Sequence, residues 1–123
     1  MQDKPIRILV IQPDGSGQPQ EVGRQDLATL QGIVGGYLQA VPALFNPEGI
    51  PQALIWCNDD GKNQHMPINH RATALWWALD PDMRGHDHLC GTVFISGGPD
   101  EDSDIRTIPD VIEQVWASVT GMS

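Results

Sequence analysis

Apolar residues fill both alternating sets of positions from Ile6 to Ile11: Ile6, Ile8 and Val10 on one side, Leu9 and Ile11 on the other. A strand that is apolar on both faces is covered on both, which predicts a central place in a sheet. The polar run Gln12-Pro13-Asp14-Gly15-Ser16-Gly17 breaks it, and an edge-like stretch around Gln20 to Val22 returns as a hairpin. Asp26 precedes Leu27, Leu30, Ile33 and Val34 at helical spacing, and Gly35-Gly36 closes the helix. Tyr37 to Val41 reads as a strand stopped by Pro42. Residues 43–52, with Pro47, Gly49 and Pro51, read as a loop, and Ala53 to Cys57 as a further strand.

Asn58-Asp59-Asp60-Gly61 combines residue types that tolerate positive φ, so it predicts a turn. Asn69 caps a helix that runs to about Leu79 and ends at Asp80-Pro81. Leu89 to Ser96 reads as the last strand, closed by Gly97-Gly98-Pro99. Ile108, Val111, Ile112, Val115, Trp116 and Val119 form an i, i+3, i+4, i+7 stripe, with Thr107 and Asp110 at capping-box spacing. Together these elements predict an α+β fold: a mixed, mainly antiparallel sheet of four to five strands with two or three packed helices. The division expected is one domain over 1–98, an acidic linker over 99–107, and an amphipathic helix over 108–120 packed on the same domain. Ile8, Val10, Leu30, Ile55, Leu75, Trp76, Val93 and Ile95 are the expected core.

Composition narrows the function. The chain has 123 residues, enough for one core, and a net charge of −9. Residues 1–50 and 51–99 each contribute −2, so the last 24 residues hold more than half of the excess, at −5. Phosphate-backbone binding needs Lys and Arg to displace counterions, and only seven are present, none clustered. Nucleic acid is therefore not the expected partner. Nor is a membrane, since the longest unbroken apolar run falls far short of the ~20 residues of a spanning helix. Met1 to Pro5 shows no secretory leader, so the expected location is cytoplasmic, where Cys57 and Cys90 stay as thiols.

Several motifs together resemble a known family. These are the apolar first strand, Ile33-Val34-Gly35-Gly36-Tyr37, Cys57-Asn58 with its acidic Gly61-Lys62 turn, Pro67-x-Asn69-x-Arg71-Ala72, and Gly91-Thr92-Val93. In this order they resemble the DUF3846-like family, small domains of unknown function found in phages, plasmids and actinobacterial genomes. The resemblance spans roughly residues 6 to 98, leaving the C-terminal helix, His86 and His88 outside the shared part. It implies a phage- or mobile-element-like accessory protein and no particular reaction.

His86, His88 and Cys90 alternate and would share one face of an extended strand. With Cys57 on a neighbouring strand they would make a zinc ligand set. No Cys-x-x-Cys pair supports it, and buried cysteines acting as small hydrophobes are preferred, so no metal or other cofactor is expected. A Cys57 nucleophile is disfavoured because acidic neighbours raise a thiol pKa. Gly15-Ser16-Gly17 opens onto a strand rather than a helix, so it is no phosphate loop. Arg71, in the first turn of its helix, faces an unfavourable dipole unless an anion accompanies it. Asp59 or Asp60 is the preferred companion, and a ligand phosphate or carboxylate the alternative. Trp77 lies off the apolar stripe of its helix, so either the helix is covered on two sides or Trp77 is an exposed anchor.

The expected function is a non-enzymatic accessory protein that binds a host or phage protein, with Trp77 as anchor. The alternative is a binder, or an enzyme, of a small anionic ligand using Asn58, Asn69 and Arg71. An open β-edge near Gln20 to Val22 would permit self-association.

Overall fold

The computed structural model describes residues 5–23, 25–100 and 104–119. Within them the order is β1 (Pro5–Ile11), β2 (Gly17–Gly23), α1 (Leu27–Val34), β3 (Leu38–Phe45), β4 (Pro51–Asn58), α2 (His70–Leu79), β5 (Val93–Gly97) and α3 (Asp110–Val119). A short 3-10 turn, Pro81–Met83, follows α2. The strands form one sheet in the order β2-β1-β5-β4-β3, and every pairing is antiparallel. The fold is α+β.

Alternation assigns each strand residue to a face. Leu9, Ile11, Ile55, Cys57, Val93 and Ile95 join Ala72, Leu75, Trp76 and Ile112, so α2 and α3 cover that side. Ile6, Ile8, Val22 and Phe94 join Leu30 and Val34, so α1 covers the other. The doubly apolar β1 is central, between β2 and β5, as its pattern requires. The eight expected core residues are buried except Val10, which is partly covered.

The caps predicted at Asp26 and Asn69 form. Asp26 accepts from the Thr29 amide at 3.2 Å, and Gly35 closes α1 in the left-handed conformation at φ 80°. Asn69 accepts from the Ala72 amide at 3.1 Å.

Four expectations need correction. β3 does not stop at Pro42 but runs on to Phe45, and β4 begins at Pro51, so only a short turn separates them. Proline is tolerated here because β3 is an edge strand, with one neighbour to bond. The last strand begins at Val93 rather than Leu89, because Gly91 at φ 77° breaks the extended backbone. Cys90 makes only an isolated bridge with Ile68. Finally, Thr107 is not a cap: its hydroxyl accepts from the Arg7 amide at 3.2 Å, and α3 starts later, at Asp110.

The stretch 99–107 partly lies outside the described residues, at 101–103. Its other residues are held: Pro99 bridges Ile105, and the Gly97 amide donates to Arg106 O at 2.8 Å. The Ile108 amide then donates to Arg7 O at 2.9 Å, and Arg7 pairs with Glu113 at 2.9 Å. These contacts seat α3 beside α2.

Candidate functional site

Two concavities lie on opposite faces of the sheet. The first is a cleft of about 330 Å³ between the turn that follows β4 and the segment 87–90 that leads toward β5. Asn58, Asp59, Asp60, Lys62 and Asn63 line one wall, Asp87, His88 and Cys90 another, with Cys57, Gln39 and Trp76 also facing it. The turn is set by Asn58, whose Oδ1 accepts from the Asp60 amide at 2.7 Å while its Nδ2 donates to Val34 O at 3.2 Å. Lys62 pairs with Asp87 across the cleft, and Asn63 donates to Asp60 at 2.7 Å.

Electrostatics here follow burial and these pairs. Burial pushes the Cys57 thiol above its ordinary range; Lys62 opposes this, while Asp59 and Asp87 reinforce it. Its sulfur points at Gln39 O and Oε1, both at 3.8 Å. Such a thiol stays protonated at neutral pH and is a poor nucleophile. Partial burial alone would raise Asp87, yet Lys62 and the His88 amide together hold it below the usual carboxylate value.

The second concavity is an apolar groove of about 340 Å³ beside α1. Leu27 and Leu30 form one wall, Leu38, Trp56 and Phe94 the floor, and Asp104 with Ile105 the other wall. It lies between α1 and the segment that carries Asp104 and Ile105, over residues of β3, β4 and β5. The Trp56 and Phe94 rings stack at 6.0 Å between centroids and 15° between planes. The Trp56 indole nitrogen is already committed, donating to Ser96 Oγ at 2.9 Å. The floor is therefore apolar to an incoming group.

The residues singled out from the sequence are dispersed. Of Asn58, Asn69 and Arg71, only Asn58 lines the cleft. Asn69 is fully buried, and beyond its cap it donates to Ile11 O at 3.0 Å and Gly91 O at 2.9 Å. Arg71 finds an internal partner, but not Asp59 or Asp60. It lies against Gly15 in the β1–β2 turn and donates to that residue's carbonyl at 3.3 Å.

Trp77 is half-buried against the α2 side of the core, and its indole donates to Asp87 O at 3.0 Å. The first of its two predicted placements is the one observed: the helix is covered on a second side, by the segment after the 3-10 turn.

His86 lies in a turn and His88 in an irregular stretch, so the shared strand face needed for a zinc set does not form. Among the described residues no three His, Cys, Asp or Glu side chains gather as a metal set. No helix among them is long and apolar enough to cross a membrane.

The groove was missed by sequence reasoning. The available signal was Trp56, a large residue on the β4 face opposite Ile55, set against a helix of barely two turns.

A family model described as a domain of unknown function, DUF3846, matches residues 6–120. The chain belongs to the DUF3846 family. The match reaches past Gly98 through α3, which corrects the expectation that the C-terminal helix lies outside the shared part. The contacts of Ile108 and Thr107 with Arg7 give the physical reason: the last helix is tied to the first strand. No curated protein and no solved structure matches the chain.

Proposed function

We propose that this protein is a non-enzymatic accessory protein of phage or mobile-element type, acting on a host or phage protein in the bacterial cytoplasm. The groove beside α1 receives an amphipathic segment of that partner, one that presents large apolar side chains flanked by Lys or Arg. The observation that supports this reading is the groove itself: an apolar floor of stacked Trp56 and Phe94, with Leu27 exposed at its rim. Apolar pockets floored by aromatic residues suit the anchors that dominate protein interfaces.

Charge specifies the flanks of the partner. The chain carries −9 overall, most densely after residue 99, and Asp104 from that region stands in the groove wall. Complementary charge accelerates encounter more than it adds affinity, so association should slow with added salt. The protonated state of Cys57 agrees with a protein that binds rather than reacts.

The test is capture from host lysate by wild type beside Leu27→Asp. Leu27 is 56% exposed, so its replacement leaves the core intact. One stoichiometric protein, retained by wild type and lost by the variant, is the expected result. Equal capture by both, or capture of none, overturns the groove as the docking surface.

A further inference from the structure

The edge of the sheet beside the groove carries main-chain groups that the fold leaves unbonded. The Asp59 amide donates to Tyr37 O at 2.9 Å, which fixes the phase of pairing between β3 and β4. Bonded pairs alternate along an antiparallel ladder, so Gln39, Val41 and Ala43 bond to β4 while Leu38, Ala40 and Pro42 turn their backbone outward. Pro42 has no N–H to lose there. Leu38 and Ala40 keep both N–H and C=O without a partner among the described residues. Carried across the sheet by the bond from the Gly98 amide to Gln52 O, the same alternation turns Pro19 outward at the middle of β2. The β2 edge is thus blocked at its centre, the β3 edge only beyond Ala40.

The side chains along that open stretch continue the groove. Leu38 and Trp56 face α1, and Ala40 lies directly opposite Trp56, which in turn lies opposite Phe94. The cross-strand row Phe94-Trp56-Ala40 therefore runs from the groove floor to the edge of the sheet and ends on a small, exposed residue. A strand added outside β3 would set a large apolar side chain next to Ala40 and, two residues along, another next to Leu38. The residue between them emerges on the α2 side, beside Gln39. Gln39 lines the cleft where Asp59, Asp60 and Asp87 face the ammonium of Lys62, so that position favours Lys or Arg.

We infer that the partner segment binds as a sixth strand along residues 38–41 of β3, fully extended, with large apolar and basic residues in alternation. The inference rests on the groove reading above and adds to it the backbone conformation of the partner. Main-chain bonds to Leu38 and Ala40 hold the segment, and the alternation of its side chains selects it.

Three synthetic probes test the assignment: the peptide Lys-Ile-Lys-Phe-Lys-Ile-Lys, the same peptide N-methylated at Ile and Phe, and a helix-locked peptide with these residue types at helical spacing. The first should bind wild type saturably, move the Leu38 and Ala40 amide resonances downfield and slow their hydrogen exchange. N-methylation deletes the donors to the Leu38 and Ala40 carbonyls and should weaken binding about tenfold. Ala40→Pro repeats on the outward row what Pro42 already does, so it should weaken the first peptide to a similar degree and leave the unfolding midpoint near that of wild type. The N-methyl comparison uses wild type alone and so stands even where Ala40→Pro misfolds. Absence of saturable binding, equal affinity for the methylated peptide, or unchanged exchange at Leu38 and Ala40 would each overturn the sixth strand. The helix-locked peptide separates that failure from failure of the groove: bound by wild type and lost in Leu27→Asp, it leaves the groove standing without the strand. Dimerisation of the free protein that Ala40→Pro abolishes would give the edge to a second copy and overturn the inference as well.

Discussion

The Asn69 side chain donates to the carbonyl of Ile11 at 3.0 Å, joining the start of α2 to the end of β1 across 58 residues of chain. The same amide nitrogen also serves Gly91 O, and the amide oxygen caps α2. Asn69→Ala removes the cap and strands two buried carbonyls, for a combined loss of about 3 kcal/mol. Asn69→Asp keeps the cap but sets a carboxylate against those carbonyls, so it should not recover the loss. Urea denaturation of the three proteins checks both expectations.

A pair of glycines separates close packing from helix propensity. A Cβ on Gly98 would fall 2.3 Å from Pro51 O, a backbone atom that cannot swing aside. Gly98→Ala should cost about 1–3 kcal/mol, as overpacking does. Gly32 lies inside α1 with open space around it, so Gly32→Ala should gain about 0.5–1 kcal/mol. Thermal unfolding read by circular dichroism should move the two midpoints in opposite directions.

Burial raises Cys57 from its ordinary 9.0, so folding favours the protonated thiol. The associated stability is complete below that ordinary value and is lost as pH climbs through the folded one. At neutral pH, iodoacetamide should label Cys57 slowly in the folded protein and rapidly in urea. Lys62→Gln removes the charge that opposes the shift and should slow labelling further. Peptide mapping by mass spectrometry distinguishes Cys57 from Cys90, and equal folded and unfolded rates at Cys57 would contradict this account.

The Lys62–Asp87 pair predicts acid sensitivity with a definite sign. Asp87 sits below its ordinary 3.8 in the folded state, so its contribution is present above that value and is lost as pH falls through the lower folded value. Both side chains are substantially exposed, so the effect is small and screened by salt. Asp87→Asn should flatten the fall of the unfolding midpoint in that acid window and leave its value near neutral pH almost unchanged.

Periodicity and capping made most of the fold legible. β1 announced its central position by being apolar on both faces, and Asp26 and Asn69 announced two helix starts. What failed depended on contacts distant in sequence. Pro42 ends a central strand but not an edge strand, and nothing local says that β3 is an edge. Leu89 to Thr92 looks continuous with Val93 until Gly91 adopts positive φ to meet the Asn69 amide. Arg71 does need an internal partner, but its choice is the Gly15 carbonyl, 56 residues earlier, which no spacing rule reaches. The groove beside α1 was hidden for a similar reason, since its lining comes from α1, β3, β4, β5 and the Asp104–Ile105 segment rather than from any motif.

The position of β5 has a consequence during synthesis. It is the last strand to leave the ribosome, yet it sits between β1 and β4, where it alone joins the two hairpins. Without β5 the two hairpins share no strand pairing, and each keeps an inner margin with unbonded backbone groups open to mispairing. The sheet therefore becomes continuous only when its most thoroughly buried strand takes its place between the two hairpins.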